Sequence, residues 1–100
     1  MNSANQPNMT LPNPDPDLYI AAQIVSSDQK ASISLLQRRL RVTFKIASEI
    51  MQQLQEIGII EKSDETYKIL VNEDDLFLYF SNLEEKYNIK IPVAGRIFEV

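Results

Sequence analysis

The sequence contains no cysteine, no histidine and only two glycines. Without cysteine there is neither a disulfide framework nor a thiolate metal site. Without histidine the commonest acid–base group and the commonest metal ligand are both missing. Two glycines cannot build a phosphate-cradling loop, so no Walker motif and no motor activity is encoded in this stretch. Carboxylates occur, but no base, nucleophile or ligand set accompanies them. We therefore expect no catalytic residue, no metal and no cofactor, and read the chain as a non-enzyme. No run is long and apolar enough to span a bilayer, and the N-terminus lacks the basic and hydrophobic regions of a signal peptide. The expectation is a cytoplasmic protein with no membrane partner.

What remains is one small domain of 100 residues, 44% of them hydrophobic. The net charge of −4 is unevenly spread. Between Asp17 and Val71 the bases Lys30, Arg38, Arg39, Arg41, Lys45, Lys62 and Lys68 balance Asp17, Asp28, Glu49, Glu56, Glu61, Asp64 and Glu65. Beyond Val71 acids outnumber bases. Proteins that bind nucleic acid draw most of their affinity from neutralising phosphates. A neutral core with one basic cluster permits such binding without demanding it.

The stretch from Gln29 to Gly58 has the layout of a helix-turn-helix. Ser34 is positioned to cap a short helix through Leu40, with Leu36 and Leu40 facing inward beside Ile33 and Leu35. Arg41-Val42 interrupts the pattern. Thr43 can cap a second helix that Gly58 ends. Ala47, Ile50, Met51, Leu54 and Ile57 recur at three- and four-residue spacing, giving that helix one apolar stripe. Two helices joined by a tight turn, the second longer, form the arrangement that places a recognition helix in a DNA groove.

The run Lys30-Ala31-Ser32-Ile33-Ser34, then Leu36-Gln37-Arg38-Arg39-Leu40-Arg41-Val42, then Phe44 and Ala47, resembles the C-terminal gamma domain of FtsK-type DNA translocases. The likeness extends from about Asp17 to Val71. It implies a winged-helix fold that reads a short G-rich orienting sequence in duplex DNA and contacts the tyrosine recombinase resolving chromosome dimers. The family's recognition helix typically opens aromatic-Asn-Arg-Ala-Ala-Arg; here those places hold Phe44, Lys45, Ile46, Ala47, Ser48 and Glu49. Ile46 lacks the guanidinium fork that best recognises guanine, and Glu49 sets a negative charge where phosphate or guanine would lie. These departures argue against reading of the same G-rich sequence.

Around this centre the chain divides into three parts. Residues 1–16, rich in proline and asparagine, read as a disordered tail. Residues 17–71 form the winged-helix domain. Asp17 is expected to cap its first helix, which turns Leu18, Ala21, Ala22, Ile24 and Val25 inward. Ile59-Ile60-Glu61 and Tyr67 to Val71 are expected to form the wing, a β-hairpin around a polar turn at Lys62-Ser63-Asp64-Glu65. Residues 72–100 form an extension. In it Asn72 and Asp75 suggest a capping box for a helix whose first turn is acidic, with Val71 stapled to Leu76. Ile89-Lys90-Ile91 and Arg96 to Val100 suggest a strand or hairpin. The fold class is thus mainly α with a small β-hairpin: a winged helix-turn-helix with an extra C-terminal helix and strand.

Two functions compete. In the first the chain is a small DNA-binding module. Lys30, Ser32, Arg38, Arg39 and Arg41 meet phosphates. Thr43, Lys45 and Ser48 lie nearest the bases, and Lys62 and Lys68 on the wing lie near the backbone. In the alternative the scaffold has become a protein-interaction module, for a recombinase, a translocase or a second copy in a homodimer. Its interface residues would be Ile46, Leu76, Phe77, Phe80, Leu83 and Tyr87.

Overall fold

The computed structural model describes residues 14–92. Three helices come first: α1 (Leu18–Asp28), α2 (Ile33–Leu40) and α3 (Phe44–Glu56). A two-stranded hairpin follows, β1 (Ile60–Ser63) with β2 (Thr66–Ile69), and after a single 3₁₀ turn at Glu73–Asp75 comes α4 (Leu76–Tyr87). This is a mainly helical winged-helix fold with one added helix. Residues 1–13 and 93–100, and with them most of the expected tail and the strand expected at Arg96 to Val100, lie outside the described residues.

The core is made where the apolar stripes of the first three helices meet. Leu18, Ala21, Ala22 and Val25 of α1, Leu36 of α2, and Ala47, Ile50 and Leu54 of α3 are fully buried. Ile59 and Ile60 carry the core into the wing. Three tethers complete it. The Ser26 hydroxyl donates to the Val71 carbonyl at 2.9 Å, fixing α1 to the base of the wing. Tyr19 meets Phe80 edge-to-face at 4.9 Å between ring centroids. The Tyr79 hydroxyl donates to the Ile57 carbonyl.

The helix starts differ from the sequence expectation. Ser32, in extended backbone, accepts the Leu35 N–H at 3.0 Å and caps α2, while Ser34 sits exposed inside the helix. Ser32 takes the cap because Ile33 already has helical backbone, two residues earlier than expected. Asp17 holds the N-cap position of α1 but makes no side-chain cap bond. Instead the Asp15 carboxylate accepts the Asp17 N–H at 2.8 Å, and the Asp15 carbonyl accepts from Leu18. Asp15 is itself tied down, its N–H donating to the Gln53 side chain at 3.0 Å. Thr43 caps α3 as expected, accepting from Ile46.

The wing turn is also tighter than the four polar residues suggest. Lys62 pairs with Tyr67 and Ser63 with Thr66, leaving Asp64 and Glu65 as a two-residue turn, with Asp64 at φ 56°. Left-handed backbone at the first turn position suits such a hairpin, and aspartate tolerates it better than most residues. The capping box at Asn72 does not form. The Asn72 side chain makes no cap bond, and its carbonyl accepts from Asp75 in the 3₁₀ turn instead. Ile89 to Ile91 adopt no strand. Ile91 is buried in the core, its N–H donating to the Glu84 carboxylate at 2.7 Å.

α4 shares the core of the first three helices through Leu76 and Phe80, only 1% and 3% exposed. Truncating a buried phenylalanine removes its transfer energy and leaves a cavity, so Phe80→Ala is expected to cost about 3–5 kcal/mol. Urea denaturation measures it. A loss under about 1 kcal/mol would mean that α4 does not unfold cooperatively with the rest.

Burial, and secondly the neighbouring charge of Tyr87, hold the Tyr79 phenol above its ordinary 10.0. The folded protein then keeps a proton that the unfolded chain has lost. This contribution to stability is complete below the ordinary tyrosine value and declines as pH rises beyond it. Unfolding at about pH 9 and about pH 11 is expected to show that decline, less steeply in Tyr79→Phe; an unchanged slope in the variant would contradict it.

Candidate nucleic-acid interface

α2 and α3 are joined by the three residues Arg41, Val42 and Thr43. The turn closes because Arg41 takes left-handed backbone, φ 58°, while its N–H donates to the Gln37 carbonyl at 2.9 Å. Leu35, Leu36 and Leu40 point inward against Ala47, Ile50, Met51 and Leu54. Helical spacing then leaves Ser34, Arg38 and Arg39 of α2, Arg41 and Thr43 of the turn, and Phe44, Lys45, Glu49 and Gln52 of α3 exposed. Ser48 is half-buried between them.

The charges on this face divide into engaged and open. Arg39 donates to the Asp28 carboxylate at 2.8 Å, and Lys45 lies 3.1 Å from Glu49 one turn along. Among the described residues Lys30, Arg38 and Arg41 are exposed and form no ion pair. Lys62 and Lys68 stand exposed on the wing, where Lys68 faces Glu61 across the ladder without closing an ion pair, and the tip carries Asp64 and Glu65. The Ser32 and Thr43 oxygens are occupied as cap acceptors, yet a hydroxyl that accepts still has its own hydrogen to donate. Both can therefore serve helix and phosphate together.

The apolar residues expected at a protein interface fall into two sets. Leu76 and Phe80 are buried in the core, and Ile46 is half-buried against it beside the inward stripe. Leu83 and Tyr87 are half-buried. Of the six, Phe77 alone is exposed, at 68%, and Leu78, not among them, lies beside it at 65%. On α3 the exposed apolar side chain is Phe44, at 62%. Phe44 was absent from the candidate DNA-contacting residues, although its position off the Ala47-Ile50-Met51-Leu54 stripe signals an outward ring. Among the described residues no cluster of three carboxylates could hold a metal ion, and no helix is long and apolar enough to cross a membrane.

The face therefore consists of a helix-turn-helix with open cations at its turn and a largely neutral second helix. Its sequence matches known proteins over the same elements. The profile described as the Ftsk gamma domain matches residues 13–71, from just before α1 to the end of the wing. DNA translocase FtsK of Chlorobaculum tepidum is 46% identical over 67 residues, covering 64% of this chain and 8% of that protein. DNA translocase FtsK of Clostridium acetobutylicum is 45% identical over 58 residues, 56% of this chain and 8% of that one. DNA translocase FtsK 1 of Neisseria meningitidis is 37% identical over 73 residues, 69% of this chain and 9% of that one. The chain thus spans 8–9% of the length of these curated relatives. By the match across all three helices and the wing, it belongs to the FtsK gamma domain family.

Proposed function

We propose that the chain binds duplex DNA through α2, the turn and α3, and catalyses no reaction on it. The observation that carries this reading is the trio Lys30, Arg38 and Arg41. All three are exposed at the helix-turn-helix and lack an ion-pair partner among the described residues. Guanidinium forks fit phosphate oxygens two at a time, and each phosphate neutralised releases counterions. Arg39 joins them by leaving Asp28, which costs little because an exposed pair is worth at most about 1 kcal/mol. Ser32 donates its hydroxyl to the same backbone. Thr43, Lys45 and Ser48 approach the bases. Lys62 and Lys68 flank the duplex from the wing. A DNA partner of this kind places the protein in the cytoplasm.

Fluorescence anisotropy of a labelled random duplex, at low and at moderate salt, tests the proposal. Binding that weakens steeply with salt is expected. An unchanged anisotropy at low salt with protein in the range of about tens of micromolar, well inside the range of non-specific DNA affinity, would sink it.

A second contact, with a recombinase, a translocase or another copy of the chain, has its place on Phe77 and Leu78 of α4, the exposed apolar pair outside the DNA-facing elements. It supplements the DNA reading and does not replace it.

A further inference from the structure

The outward side chains of α3 restrict what this helix can read. It carries no arginine, so the commonest reader of guanine is absent. Its one cation, Lys45, sits 3.1 Å from the Glu49 carboxylate, with the two side chains 84% and 52% exposed. Lys45, Glu49 and Gln52 follow one another along a single helical line. Phe44, 62% exposed, opens the helix beside them.

A carboxylate enters a groove lined by phosphates only if its charge is offset and its oxygens find donors. Lys45 supplies the offset, since the pair is close to neutral as seen from the phosphates. The donors must come from base edges. In the major groove guanine presents two acceptors, which a carboxylate repels. Cytosine presents an amino group, which a carboxylate accepts. An exposed phenylalanine ring has one matching feature there, the thymine methyl group.

We infer that α3 selects duplex sites with cytosine facing Glu49 and a thymine methyl against Phe44, and rejects guanine at the position Glu49 reads. The inference rests on the DNA-binding reading above and deepens it. Glu49 and Phe44 thereby become specificity-determining residues, while Lys30, Arg38 and Arg41 supply affinity without sequence preference.

Selection from a random duplex library with the full chain tests it, using wild type, Glu49→Gln and Phe44→Ala, each checked for native circular dichroism. Wild type is expected to enrich a motif with one cytosine favoured on the order of ten-fold. Glu49→Gln is expected to change that position to adenine, because a carboxamide pairs with adenine's donor and acceptor, and to leave the other positions as they were. Phe44→Ala is expected to lose a neighbouring thymine. A motif unchanged in Glu49→Gln, a guanine at that position, or binding with no enriched motif would overturn the inference and leave DNA binding standing. Failure of wild type to bind any duplex would overturn both.

Discussion

The Arg38→Ala/Arg41→Ala double variant is expected to bind a random duplex on the order of a hundred-fold more weakly at low salt, since each charge-assisted hydrogen bond to phosphate contributes about 1.5–3 kcal/mol. Its plot of log affinity against log salt should flatten by about two, one for each phosphate contact removed. Both side chains are exposed and without an ion-pair partner among the described residues, so stability should not change with them. Arg41 adds no complication through its backbone. Alanine at φ 58° is about as strained as arginine, because both carry the Cβ that disfavours the left-handed region. Arg38→Lys/Arg41→Lys should keep the salt slope while losing part of the affinity, because lysine keeps the charge without the fork. If the alanine pair bound as tightly as wild type with the same slope, the phosphate contacts would lie elsewhere.

A second large effect, on stability, is expected at a residue remote from that face. Gly58 ends α3 at φ 85°. Its N–H donates to Gln55 and that of Ile59 to Leu54, the bonding pattern of a Schellman cap. A Cβ at this position would lie 2.7 Å from the Tyr79 hydroxyl, which is held there by its bond to the Ile57 carbonyl. Gly58→Ala therefore carries two separable costs. Left-handed backbone costs a residue with a Cβ about 1–2 kcal/mol. Displacing the hydroxyl loses a hydrogen bond of about 0.5–1.5 kcal/mol. In a Tyr79→Phe background the second cost disappears, because the next nearest ring atom lies at an ordinary 3.9 Å. Urea denaturation of the two single variants and the double variant measures the coupling directly. Additive losses would show that Gly58 and Tyr79 do not meet.

This junction joins α3 to the added helix. Gly58 and Ile57 belong to the end of α3, Tyr79 to α4, and Phe80 next to it packs on Tyr19 of α1. The added helix thus holds the far end of α3 in place, and through it the direction in which Phe44 and Glu49 point.

The first three helices were legible because their apolar residues fall on single stripes at helical spacing. Leu18, Ala21, Ala22 and Val25, and again Ala47, Ile50, Met51 and Leu54, are all buried as expected. α4 was only half legible. In Leu76-Phe77-Leu78-Tyr79-Phe80 every position is apolar or aromatic, so periodicity cannot say which side faces in. Packing against α1 decided it, burying Leu76 and Phe80 and leaving Phe77 and Leu78 outside. Caps and turns were misread by one or two residues where several hydroxyls compete, as at Ser32 and Ser34, or where strand pairing absorbs polar residues, as at Lys62 and Ser63. Ile89-Lys90-Ile91 alternates like a strand, but Ile91 packs into the core beneath the Glu84 carboxylate.

At the candidate interface, the arginine cluster was legible in the sequence but its state was not. A charge count cannot show that Arg39 is engaged by Asp28, eleven residues earlier, or that Lys45 is held by Glu49. Nor does it show that Ile46 turns to the core while Phe44 turns out. These are consequences of how α2 and α3 rotate to bury their stripes, and they divide the face into open cations, engaged cations and one exposed ring.

The most direct test of the DNA-binding account is to follow backbone amide resonances of the intact chain as a random duplex is added at low salt. The shifts are expected to concentrate at Lys30, Ser32, Arg38, Arg41 and from Thr43 to Glu49, with smaller ones at Lys62 and Lys68, and to reverse as salt is raised. Shifts confined to Phe77, Leu78 and the rest of α4, or none at all, would contradict it.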